Sequence, residues 1–259
     1  MAVPLGCFNR PWNKFDYDEA LAGIAAAGYA LTGTMHQQGE PLVEMDSSEQ
    51  EIAVLRAKVQ SAGLAPSTVL GSFPMDGSSE QSVAGLKALI DRVAIFGARY
   101  LLHCGTSNEG QYDRFYGTMK ACCDYAQERE VMLTLKPHGG ISVSGADLLR
   151  AVERIDHANF GIYYDPGNIM HYKGLDPVEE LKPVAEHVVA MCIKDSLGEM
   201  EGVMITPGTG KVDFQGVFDV LSDAGFEGPC LVECLGGETL EEINEEAVKT
   251  HEFLTELTS

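Results

Sequence analysis

The chain has 259 residues, 45% of them hydrophobic, and its 18 Lys+Arg against 39 Asp+Glu give a net charge of −21. That balance opposes binding along a phosphate backbone, which needs clustered cations, and the expectation is that nucleic acid is not a partner. No run approaches the roughly 18 apolar residues of a membrane span, and the first residues carry no basic segment followed by a long apolar one. The seven cysteines are odd in number and form no Cys-x-x-Cys pair. The expectation is a cytoplasmic protein with free thiols and no membrane contact.

The length is close to the roughly 250 residues of a one-domain (β/α)8 barrel. Residues 3–8 form an apolar run, followed by the loop Asn9-Arg-Pro-Trp12. Residues 16–27 then show a helical stripe, Ala20, Leu21, Ile24 and Ala27, stopped by Gly28 in the manner of a C-terminal glycine cap. A second short run covers residues 29–34. Ser47-Ser48-Glu49 opens the next helix with capping residues, and Ile52, Leu55, Val59 and Ala62 give its apolar face. Residues 65–70 read as a third strand, 80–96 as a helix ended by Gly97, and 99–104 as a fourth strand.

Residues 113–130 are helical in pattern, and residues 131–135 form the fifth strand. A helix over 144–155 precedes strand six at 160–164. A helix over 176–187, with Pro177 in its first turn, precedes strand seven at 188–193. The helix over 213–224 leads to strand eight at 230–232, and an acidic helix over 238–258 closes the chain. Eight strand-then-helix units, with strands that are short continuous apolar runs, point to a parallel sheet buried on both faces. The expected fold is an α/β single (β/α)8 TIM barrel over 1–259, with a doubly wound open sheet as the alternative.

Four of the apolar runs end in an ionisable residue. Leu133-Thr-Leu-Lys-Pro-His-Gly-Gly140 ends at Lys136 and His138, residues 160–165 end at Asp165, residues 188–195 at Lys194 and Asp195, and residues 230–233 at Glu233. In a parallel barrel those strand ends converge on one site.

These stretches resemble signatures of the sugar phosphate isomerase/epimerase superfamily, the xylose isomerase-like TIM barrels that also include AP endonuclease 2-type proteins. Leu133–Gly140 is similar to the strand-five apolar run followed by Glu-x-His, and Tyr164-Asp-Pro-Gly-Asn168 to the strand-six Asp-x-x-His. Cys192-Ile-Lys-Asp195 is similar to the strand-seven His-x-Lys-Asp, and Val232-Glu233 to the strand-eight Glu. Pro207-Gly-Thr-Gly-Lys-Val-Asp-Phe214 resembles the Gly-x-Gly-x-x-Asp loop that follows. The resemblance implies a divalent metal (Mn, Mg or Zn) held by four strand-end residues. Here Lys136 stands in place of the first Glu, Cys192 in place of the His and Asn168 in place of a second His. The expectation is therefore that no residue serves as a metal ligand. The Lys136 ammonium would take the place of the ion as a fixed positive charge.

On this reading Lys136, His138, Asp165 and Glu233 are the catalytic candidates. His103, Asn168, Lys194, Asp195 and Trp12 are candidates for binding a small-molecule sugar, with Phe8 and His171 as further lining. Gly208 and Gly210 offer backbone amides to a phosphate, although a bare turn is the stronger reading. The implied activity is isomerisation, epimerisation or a related elimination by proton abstraction next to a carbonyl of a sugar, keto-sugar or polyol. The alternative is a catalytically silent sugar- or partner-binding barrel. A DNA-repair role is disfavoured by charge, and a homo-oligomer is left open.

Overall fold

The computed structural model describes residues 3–258. Met1, Ala2 and Ser259, which the expected 1–259 domain includes, lie outside the described residues. Eight parallel strands close into a barrel: β1 (Leu5–Phe8), β2 (Leu31–Thr34), β3 (Ala65–Leu70), β4 (Tyr100–His103), β5 (Met132–Leu135), β6 (Phe160–Tyr164), β7 (Val188–Ile193) and β8 (Cys230–Val232). Each pairs with its neighbours in sequence, and Leu5 of β1 lies opposite Cys230 of β8, closing the ring. A two-stranded antiparallel hairpin, His36–Gln37 with Glu40–Pro41, projects after β2.

Helices cover the outside: α1 (Tyr17–Ala26), α2 (Glu49–Ser61), α3 (Ser79–Phe96), α4 (Tyr112–Gln127), α5 (Gly145–Ile155), α6 (Pro166–Lys173), α7 (Pro177–Leu181), α8 (Phe214–Asp223) and α9 (Leu240–Leu257). Their starts follow the capping chemistry of the sequence. Ser48, Ser78 and Thr239 each accept a backbone N–H three residues on, while Glu51, Gln81 and Glu242 reach back in turn.

Two local expectations change. The helix expected over 176–187 is α7 followed by a 3-10 stretch, Lys182–His187. Pro183 has no N–H, and its ring clashes with the preceding turn, so the α-helix stops. The segment after β6, read only as a motif, is α6, with Asp165 as N-cap and Pro166 at its first position.

The core has two parts. A large shell of aliphatic and aromatic side chains lies between strands and helices, and a smaller cluster including Phe8, Leu102, Tyr163 and Leu231 fills the barrel interior. Gly33 is required there, because a Cβ at this position would lie 2.3 Å from the Phe8 ring. Phe8, expected near a sugar pocket, is thus a filling residue of the barrel.

Candidate active site

Parallel strands deliver their C-terminal ends to one side, so the residues that follow them meet. Lys136 follows β5, Asp165 follows β6, Lys194 follows β7 and Glu233 follows β8, and all four are buried. Arg10, in the turn after β1, reaches the same point.

Glu233 is the hub. Its Oε2 accepts from Lys136 Nζ, and its Oε1 accepts from Lys194 Nζ at 3.1 Å and from the Arg10 guanidinium. The Cys192 thiol donates to Oε2 at 3.2 Å. Lys136 Nζ also lies 2.9 Å from Asp165 Oδ2. Three cations therefore face two carboxylates, leaving one positive charge in excess.

The protonation states follow from this geometry. Burial alone would push the Lys136 ammonium down, but the facing anions, Asp165 foremost, outweigh it and hold the group above its ordinary value. Burial would likewise raise Glu233, yet Lys136, Lys194 and Arg10 together hold it well below the usual carboxylate range. Burial raises the Cys192 thiol, so it stays protonated. An amine held charged is no nucleophile, which disfavours imine chemistry at Lys136.

A cavity of about 430 Å³ opens above the cluster, walled by Arg10, Lys136, Lys194 and Glu233 on one side and by His138 and Tyr172 on another. His138 Nε2 lies 2.8 Å from the Tyr172 hydroxyl. Burial, and then the charges of Lys136 and Lys194, lower the His138 pKa, so the imidazole is neutral at pH 7. His171 and Asn168 also line the cavity. Asn168 donates through Nδ2 to the Pro137 carbonyl at 2.7 Å, tying α6 to the loop after β5. Gly167 lets α6 approach β7, since a Cβ there would lie 2.6 Å from the Lys194 carbonyl oxygen.

Three expectations are corrected, and a fourth residue, His103, lies in a different cavity from the one expected. Asp165 does not line the cavity. It is fully enclosed behind Lys136, with Oδ1 accepting the Asn168 N–H at 2.8 Å and Oδ2 lying 2.9 Å from the Lys136 ammonium. Asp195 does not face a substrate. Its two oxygens accept backbone N–H groups from Ser196, Gly208, Gly210 and Val212. The amides of Gly208 and Gly210 are thereby taken and are not open to a phosphate. Trp12 is buried in the core, its indole N–H donating to Asn244 Oδ1 of α9 at 2.8 Å, because the 3-10 turn after β1 directs it away from the barrel mouth. His103 is buried against Phe73 and Phe115 and belongs to a neighbouring cavity.

Arg10, Cys104 and Tyr172 were missed as cavity residues. The position of Arg10 in the loop after a barrel strand was the available signal. Tyr172 would have followed from recognising Asp165-Pro166 as a helix start, which puts Tyr172 on the turn facing His138.

The residues do not fit the divalent metal that the resemblance implies. Asp165, Cys192 and Glu233 bring one ligand atom each within 4.8 Å of one another. The Lys136 ammonium, however, contacts both carboxylates from between them. A hard cation in such a site takes oxygen and imidazole donors, and a dication beside a fixed ammonium has lost both a ligand and the favourable field.

Comparison with known proteins gives consistent results. The sequence profile of a family described as "Xylose isomerase-like TIM barrel" matches residues 21–257. The chain is 26% identical to an L-ribulose-5-phosphate 3-epimerase of Shigella sonnei (strain Ss046), over 97% of this chain and 94% of that one. Among solved structures it is similar to a D-allulose 3-epimerase from Methylomonas sp. in complex with D-allulose, with TM-score 0.78 and 17% identity, covering 98% and 96% of the two chains. It is also similar to a TIM barrel protein from Mycobacterium smegmatis in complex with magnesium, with TM-score 0.75 and 17% identity over the full length of both. These structural likenesses speak for the fold.

Proposed function

Because the chain belongs to the xylose isomerase-like TIM barrel family, we propose that it is a sugar isomerase or epimerase that removes the proton next to the carbonyl of a keto-sugar. The single observation that carries this reading is the Lys136 ammonium, wedged between two carboxylates at the mouth of β5, beneath a cavity that also holds a neutral histidine. The relatives named as sugar epimerases support the reaction class.

In this mechanism the substrate carbonyl oxygen sits against Lys136 and Lys194. The His138 imidazole, hydrogen-bonded to Tyr172, takes the proton from the adjacent carbon. The C–H bond breaks and its electron pair moves onto the carbonyl oxygen, giving an enolate. The site's excess positive charge opposes this new anion in a water-poor setting, where such stabilisation is large. Return of the proton to the neighbouring carbon, with the hydroxyl proton of the first carbon passing to the enolate oxygen, gives an isomer. For an epimer, the Lys194 ammonium in the cavity wall gives a proton to the opposite face of the same carbon and regains one from the His138 imidazolium through solvent. Glu233, held ionised, positions Arg10, Lys136 and Lys194 and is a poor proton donor.

One observation favours a silent barrel instead: an ammonium shared by two carboxylates is also a simple ion pair that fills a lost metal position. Incubation with D-fructose or L-ribulose in D2O separates the two. The enzyme reading predicts loss of the proton NMR signal at the carbon beside the carbonyl, whereas binding without exchange would support the silent barrel.

A further inference from the structure

A second cavity of about 510 Å³ lies beside the charged one and shares His36, Leu70 and Cys104 in its wall. Its lining includes Val43, Phe73 and Pro74, with Glu44 and Asp46 also facing it. None of the catalytic groups described above reaches it. It does contain His103, which is 4% exposed and whose Nε2 has no hydrogen-bond partner among the described residues. Buried polar atoms of folded proteins are almost always paired, and an orphan in a cavity wall marks a place where a ligand hydroxyl or a water completes the set.

From these two observations we propose that the substrate has two parts: a keto-sugar head in the charged cavity and a second, uncharged hydroxylated ring joined to it in the cavity lined by Phe73 and His103. This rests on the keto-sugar reading for the head and extends it by naming a glycosylated ketose as the substrate class. The chemistry of the second cavity selects the second ring. A largely apolar wall with a few placed polar groups is the usual composition of a small-molecule subsite, and here Val43, Phe73 and Pro74 stand beside His103. Burial holds the His103 pKa down at about 4, so at pH 7 the ring is neutral and pairs with a hydroxyl rather than an anion. Glu44 and Asp46 repel a phosphate or carboxylate. A free monosaccharide bound over Lys136 would leave the His103 nitrogen unserved by the substrate.

The test is calorimetric titration of the whole protein with D-fructose and with three ketoses that carry a glycosyl group at different hydroxyls: turanose, lactulose and palatinose. At least one glycosylated ketose is expected to bind tenfold or more tighter than D-fructose. Ser72→Trp, which fills the second cavity from an exposed wall position, is expected to abolish that difference and leave D-fructose binding unchanged. Met45→Trp, at another wall position, gives a second variant should the first lose its melting transition. Equal binding of all four sugars, or a tenfold gain that survives both variants, overturns the proposal. Exchange into D-fructose without any such gain would refute the second subsite and leave the proposed reaction standing. A variant-sensitive gain without exchange would do the reverse.

Discussion

His103 shows how one buried side chain ties site to stability. Its pKa is pushed down to about 4 by burial, while the unfolded chain titrates near the ordinary value of about 6.5. Above pH 6.5 neither state binds the proton, so stability is not affected. As the pH falls from 6.5 towards 4, the unfolded chain gains a proton that the folded one excludes, and stability falls by about 1.4 kcal/mol per pH unit. Urea unfolding of wild type and His103→Leu at pH 7 and pH 4.5 should show the wild type losing about 2–3 kcal/mol more than the variant. Equal losses would mean that His103 titrates normally. Among the residues that line the charged cavity, Lys136, Lys194 and Glu233 were legible in the sequence because each directly follows an apolar run, with His138 two residues beyond Lys136, and a strand end fixes the direction of the residue after it. Arg10 and Tyr172 were not, since they reach in from a turn and a helix whose orientation no two-residue period dictates. Trp12 was misplaced for the same reason.

At the scale of elements, the segment between β7 and α8 depends on one side chain. Asp195 Oδ1 accepts the amides of Ser196 and Val212, at 2.8 and 3.1 Å, and Oδ2 those of Gly208 and Gly210, at 2.9 and 2.7 Å. Within this segment Val203 reaches the cavity wall. Asp195→Ala strands these donors and should lower stability by about 3 kcal/mol or more. Asp195→Asn keeps one acceptor oxygen and should lose less. Thermal and urea melts of the two variants measure this, and an Ala variant as stable as wild type would show that the loop holds itself. The sequence contained the start of α6, a capping Asp followed by Pro, but Gly167 in its first turn weakens the helical pattern. That glycine answers to the Lys194 backbone pressed against it, a tertiary demand that local propensity does not carry. The break after α7 was visible as Pro183 and was passed over in favour of an unbroken helix.

At the scale of the whole molecule, eight strand–helix units were countable from composition and punctuation, because buried parallel strands read as short apolar runs and the helices carry their own caps. What the sequence could not convey is how charge is arranged in space. A chain with net charge −21 gathers three cations around one buried carboxylate at the barrel mouth, and the site it forms is positive. The claim that this fixed charge does the work of a metal is tested most directly by solvent deuterium exchange into a bound ketose, with chelator present, for wild type and Lys136→Met. Removing an ammonium between two carboxylates also risks the fold, by about 3–5 kcal/mol, so each sample is first shown to melt cooperatively above the assay temperature. The account predicts that wild type exchanges at full rate in EDTA and that folded Lys136→Met loses roughly 10²–10³ of that rate. Exchange that stops in EDTA and returns with Mn²⁺ or Mg²⁺, or a folded variant that exchanges as fast as wild type, would contradict it.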